Sequence, residues 1–99
     1  MKQLLAGLDP LLENRIRLGV MSLLVVREEA DFNSMKQMLG VTDGNLASHV
    51  ATLERNRYLT VRKAFVGRKP QTTYTITEAG RRAFSDHVEA LERLLRKAR

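Results

Sequence analysis

A helix stop and a helix start stand almost back to back in this chain, and they constrain it more than any other feature. Gly40 follows the apolar positions Met35, Met38 and Leu39 and fits the left-handed residue that closes a helix. Only Val41 separates it from Thr42, a residue type that opens one. Short helix, tight glycine turn, second helix is the spacing of a helix-turn-helix. The second helix, TDGNLASHVATLERN from Thr42 to Asn56, has two unlike faces. Leu46, Val50 and Leu53 fall at i, i+4 and i+7, an apolar stripe that must pack on a core. The opposite face carries Asn45, Ser48, His49 and Thr52, which are short, polar and mostly uncharged. A solvated helix face more often carries Glu and Lys pairs. Short donors and acceptors suit contact with another polar surface, such as the edges of bases.

The elements around this pair follow from similar signals. Asp9-Pro10 is a helix start, with Asp as cap and Pro in the first position. The spacing of Leu12, Ile16, Val20, Leu23 and Leu24 predicts a helix from there to about Glu28, and Leu18, Met21 and Val25 widen its buried face. Leu4, Leu5 and Leu8 form a separate apolar cluster ahead of it. Ala30 to Phe32 reads as a very short extended piece, after which Asn33 or Ser34 caps the short helix. Ser34 with Gln37 three residues on has the pattern of a capping box. After Asn56 the period changes. Tyr58, Leu59, Val61 and Phe65, then Thr72 to Ile76, are rich in β-branched and aromatic residues. The VGRKPQ segment between them predicts a β-hairpin with a basic tip, its turn built by Gly67 and Pro70. Thr77 caps a last helix with Ala79, Phe84, Val88, Leu91 and Leu95 on one stripe.

Ninety-nine residues make a single domain with one core. The chain has no Cys, which removes disulfides and thiolate metal sites. The opening MKQLLAGLDP is too short for a membrane span and has no convincing cleavage site, so a cytoplasmic protein is expected, without membrane contact. The formal charge is +6, and its placement says more than its size. Arg55, Arg57, Arg62, Lys63, Arg68 and Lys69 lie between Arg55 and Thr77 with no Asp or Glu among them. The other positions hold eleven basic and eleven acidic residues, so the whole net charge sits in one segment. A localised basic footprint of that kind is expected for a polyanionic partner.

The segments SHVATLERNRYLTVRK and VGRKPQTTYTITEAG together resemble the core of winged-helix transcriptional regulators of the MarR and ArsR kind. TDGNLASHVATLE and LDPLLENRIRLGVMSLL are similar to the small stand-alone winged-helix proteins of that group, and the likeness covers nearly the whole chain. The resemblance implies an α+β fold, mainly helical with a small hairpin, in one domain spanning 1–99. Its helix-turn-helix would occupy 33–56, its wing 59–76 and a long C-terminal dimerisation helix 77–97. One departure falls at Arg57, where the family usually has Gly. A turn there favours positive φ, which costs a non-Gly residue about 1 kcal/mol, and Asn56 offers an alternative place for it.

The expected function is sequence-specific binding of double-stranded DNA by a homodimeric transcriptional regulator. Thr42, Gly44, Asn45, Ser48, His49 and Thr52 are placed at the major groove, with Asp43 doing first-turn helix chemistry only. Arg57 and Lys63 are assigned to DNA contact, Arg68 to the minor groove, and Lys69, Thr72 and Thr73 to phosphates. Leu4, Leu5 and Leu8 with Val88, Leu91 and Leu95 are assigned to the dimer interface. No catalytic constellation and no cofactor motif is recognisable. His49 and His87 lie on different helices, so no metal site is expected and His87 reads as part of a solvated face. The alternative is a protein-interaction module whose basic wing binds an acidic partner. No small-molecule effector is named by the sequence.

Overall fold

In the computed structural model, which describes residues 2–98, side-chain caps decide where each main helix begins. The order is α1 (Lys2–Leu5), a 3₁₀ turn (Pro10–Leu12), α2 (Arg15–Arg27), β1 (Glu29–Asp31), α3 (Phe32–Leu39), α4 (Asp43–Arg55), β2 (Leu59–Val66), β3 (Lys69–Ile76) and α5 (Glu78–Lys97). This is a winged helix: helices α2 to α4 around one core, a small sheet, and a long terminal helix.

Two expected boundaries move, each because a different side chain wins the orphan backbone N–H groups. The long helix from Pro10 is broken. Asp9 accepts from the Leu11 N–H at 2.9 Å and caps only the 3₁₀ turn. Asn14, held extended, then accepts from the N–H groups of Ile16 and Arg17, both at 3.0 Å, and starts α2 afresh. At α3 the cap is Asp31 rather than Asn33 or Ser34. Its carboxylate accepts the Ser34 N–H at 3.1 Å and the Ser34 hydroxyl at 2.6 Å, so Ser34 is a donor to the cap. These bonds hold the Asp31 carboxyl below its ordinary pKa, the Ser34 hydroxyl contributing most. Gly40 closes α3 in the left-handed conformation, φ 63° and ψ 41°, and Thr42 caps α4 through the Asn45 N–H at 3.2 Å, as expected for both.

The sheet is antiparallel in the order β1-β3-β2. Ala30 stands opposite Tyr74, and Leu59, Val61, Lys63 and Phe65 stand opposite Ile76, Tyr74, Thr72 and Pro70. The hairpin turn is tighter than expected. Val66 pairs with Lys69, so the turn is Gly67-Arg68 alone, with φ 66° at Gly67, and Pro70 belongs to β3. A two-residue turn closes on a hydrogen-bonded pair, which makes Phe65–Pro70 a non-hydrogen-bonded one. The missing Pro70 N–H therefore faces the β1 side, the same phase in which the Ile76 N–H reaches the Glu28 carbonyl at 3.1 Å. β1 stops at the Asp31–Thr73 pair, so the ladder asks for no donor at Pro70.

The core is centred on α2. Val20, Met21 and Leu24 pack with Met35 of α3, Leu46, Val50 and Leu53 of α4, and Leu59, Tyr74 and Ile76 of the sheet. α5 enters against this core at Gly80. A Cβ built there would lie 2.1 Å from the Tyr58 carbonyl oxygen and 3.0 Å from the Met21 Cε. Only a hydrogen fits. The same Tyr58 carbonyl accepts the Thr77 N–H at 3.1 Å, so the start of α5 is fixed to the residue just beyond α4. His87 corrects the expectation of a solvated face, being only 2% exposed. Its Nδ1 accepts the Asp9 N–H at 2.9 Å, while the Asp9 carboxylate accepts the Tyr58 hydroxyl at 2.5 Å. Burial first, then this bond to Asp9 and its charge, push the Tyr58 phenol up to about 12.

The obstruction at Gly80 is backbone and cannot swing aside. Gly80→Ala is expected to cost about 3 kcal/mol by overpacking, read as a lower urea midpoint with an unchanged denaturant slope.

Candidate nucleic-acid interface

The residues of α4 sort by burial as their spacing requires. Leu46, Val50 and Leu53 are buried, while Asp43, Gly44, Asn45, Ala47 and Ser48 are exposed and His49 and Thr52 are half-buried. The outward face is therefore short and polar along its first two turns.

Three interactions that the sequence did not disclose shape this face. Lys36 of α3 pairs with Asp43 at 2.7 Å, cancelling the one negative charge at the amino end of α4 and joining the two helices across the Gly40 turn. Arg17 of α2 donates from Nε to the Leu11 carbonyl at 2.7 Å and from a terminal nitrogen to His49 Nδ1 at 3.0 Å. A guanidinium only donates, so His49 accepts at Nδ1 and carries its proton on Nε2. Burial, then the Arg17 charge, lower the His49 pKa and favour this neutral form. Thr52 is occupied by its own helix: its hydroxyl donates to the Ser48 carbonyl at 3.2 Å and accepts from Arg55 at 3.1 Å. Arg17 was hidden in the sequence because it sits within the mostly apolar run of α2. No local pattern marks it.

The exit from α4 is made by Arg57 itself, which takes φ 63°. Asn56 stays at φ −92° and caps the helix through its amide, which donates to the Thr52 carbonyl at 2.8 Å. The Thr77 hydroxyl donates to the Arg57 carbonyl at 2.6 Å and accepts the Gly80 N–H at 2.9 Å, which holds the strained residue in place. Arg57 remains exposed, as do Lys63, Arg62, Arg68 and Lys69 along the wing. Thr72 is half-buried beside Lys63. Thr73 is the exception among the residues assigned to phosphate. It is 9% exposed, between Asp31 and Arg62 at the centre of the sheet, and the ladder on both sides takes it out of the outward set.

The exposed face of α4 and the basic hairpin thus follow one another in the chain, joined by a fixed turn at Arg57 and Tyr58. A family profile described as winged helix DNA-binding domain matches residues 16–95. The chain belongs to that family. A transcriptional regulator homologue from Pyrococcus horikoshii is similar in structure with a TM-score of 0.87 and 31% identity, covering 98% of this chain and 94% of that one. An uncharacterised protein of Methanocaldococcus jannaschii is 33% identical over 73 residues, 74% of this chain and 79% of that protein. A structure of reduced AbfR bound to DNA has a TM-score of 0.73 at 16% identity, covering 92% of this chain and 69% of that one, a likeness of fold. Among the described residues no group of His and acidic side chains is placed to hold a metal ion. Among the described residues no helix is long and apolar enough to cross a membrane.

The His49 environment has a pH signature. A base whose folded pKa lies below its unfolded value of 6.5 contributes stability that is full above 6.5 and is lost as the pH falls through that window. The stability advantage of the wild type over His49→Gln is expected to shrink between pH 7.5 and 5.5 in chemical denaturation, as protonation sets His49 against Arg17.

Proposed function

We propose that this DNA-binding regulator acts as a sequence-specific homodimer, with α4 in the major groove and the wing on the adjoining minor groove and phosphates. Gly44 is the observation that carries the reading. It sits in the first turn of α4 at ordinary helical φ, and a Cβ added there would meet nothing within 4 Å. Glycine in a helix costs about 0.5–1 kcal/mol relative to alanine, and nothing inside the chain requires it here. A surface that presses closely on the helix from outside supplies the requirement. Asn45, Ser48 and the His49 Nε2–H flank that point and offer donors and acceptors to base edges. Lys36 removes the charge that Asp43 would otherwise set against phosphate.

The dimer reading is supported by α5. Along its seam Val88 and Leu91 are half-buried and Leu95 is 65% exposed, while α1 lies beside the same helix with Leu5 49% exposed. An open groove of about 780 Å³ borders the earlier turns of α5, with Val25, Phe84 and Val88 in its wall. A second copy covering these positions would present two α4 helices about one helical turn of DNA apart. The cytoplasm is the compartment consistent with binding of this kind.

Selection from a random duplex pool tests the whole reading, and a pseudo-palindromic sequence is the expected product. Recovery of no preferred sequence, with affinity insensitive to salt, would sink it. Replacing Arg68 and Lys69 together by Ala is expected to flatten the log K against log [salt] slope by about one for each phosphate no longer neutralised. Gly44→Ala is expected to move two measurements in opposite directions. The urea midpoint rises, corresponding to roughly 0.5–1 kcal/mol, while duplex affinity by fluorescence anisotropy falls tenfold or more.

A further inference from the structure

The chain has five aromatic residues, and four of them are accounted for by the core. Tyr74 is buried, and Phe32, Tyr58 and Phe84 pack against the core cluster. Phe65 does not. It is 74% exposed near the tip of the wing, beside Val66 at 60%. Its cross-strand neighbour is Pro70, also exposed. In a non-hydrogen-bonded pair the two side chains stand close together, and the proline ring contributes no rotational freedom of its own. The two-residue turn holds this pair forward with Arg68 and Lys69, while Arg62 and Lys63 lie on the strand behind it.

A hairpin meant only to place cations on phosphate gains nothing from an exposed Phe paired with a Pro. Apolar side chains of these types, flanked by cations, are what proteins insert between base steps from the minor groove. We infer that Phe65, backed by Pro70, is a wedge that enters a base step in the minor groove, with Arg68 beside it in the groove and Lys69 on the adjoining phosphates. The inference rests on the DNA reading above and adds a second mode of recognition to it. Insertion partly unstacks the step and kinks the duplex toward the major groove, the side on which α4 lies. It selects for steps that deform easily, so the wing discriminates among sequences without hydrogen bonds to bases. Charge favours a nucleic acid over an apolar partner here, since no acidic residue occurs between Arg55 and Thr77.

The chain has no Trp, so Phe65→Trp places a single reporter at the wedge. The probe is the duplex recovered from the random pool, unlabelled for indole fluorescence and fluorescein-labelled for anisotropy. On binding, the indole emission is expected to be quenched and to lose its access to iodide. Phe65→Ala is expected to bind the same duplex about tenfold or more weakly, with an unchanged salt slope because no cation is removed. Phe65 lies outside the core, and far-UV circular dichroism confirms that both variants are folded. Full binding by anisotropy with the indole still open to iodide, and Phe65→Ala binding as the wild type does, overturns the wedge and leaves the DNA reading standing. No anisotropy change with the wild type itself overturns both.

Discussion

Three distant parts of the chain meet at Asp9. Its N–H is received by the buried His87 of α5, one carboxylate oxygen caps the 3₁₀ turn, and the other receives the Tyr58 hydroxyl. Tyr58 is the residue that leads out of α4 into β2. Its hydroxyl is tied to the amino-terminal segment, and its carbonyl is held from the other side by the Thr77 N–H beside Gly80. The direction in which the wing leaves α4 is therefore fixed from both sides. Two elements proposed to meet one duplex together can be placed accurately only if the joint between them is rigid, and the polar groups named at this joint are partnered.

The surface likewise divides between side chains that hold the fold together and side chains that face outward. Lys36 with Asp43 joins α3 to α4, Arg17 orients His49, and Arg55 binds Thr52, all within the protein. The side chains of Asn45, Ser48 and the wing cations carry none of that work among the described residues. Arg57 is the point where the two roles meet. Its backbone sits in a conformation that costs a non-glycine residue about 1–2 kcal/mol, and its side chain adds a cation at the start of the basic segment. A hydroxyl from the next helix holds the backbone there.

The sequence was most legible where a residue acts on its near neighbours. Gly40, Thr42 and the Leu46, Val50, Leu53 stripe define the helix pair, and the absence of acidic residues between Arg55 and Thr77 defines the basic segment. It was least legible where two caps compete and where hydrogen bonds cross the fold. Asp31 and Ser34 are both good cap residues, and the charged one at the end of an extended strand wins. Nothing local says that His87 will meet a backbone N–H 78 positions earlier, or that Arg17 will meet His49. Pro70 has the local signature of a turn residue because Pro so often is one; the ladder shows a strand position in which its missing N–H is not needed. Thr73 is locally indistinguishable from its neighbour Thr72, and only the arrival of β1 separates them.

That placement of Pro70 reaches beyond a single molecule. The wing projects past β1, leaving an unpaired strand margin with apolar residues at its end, the kind of margin along which further chains can add and grow into aggregates. On the β3 side that growth would need the N–H which Pro70 lacks. On the β2 side a second chain in register would bring Arg62 and Lys63 up against like charges. The hairpin can thus stay extended and basic while remaining a poor template for its own kind.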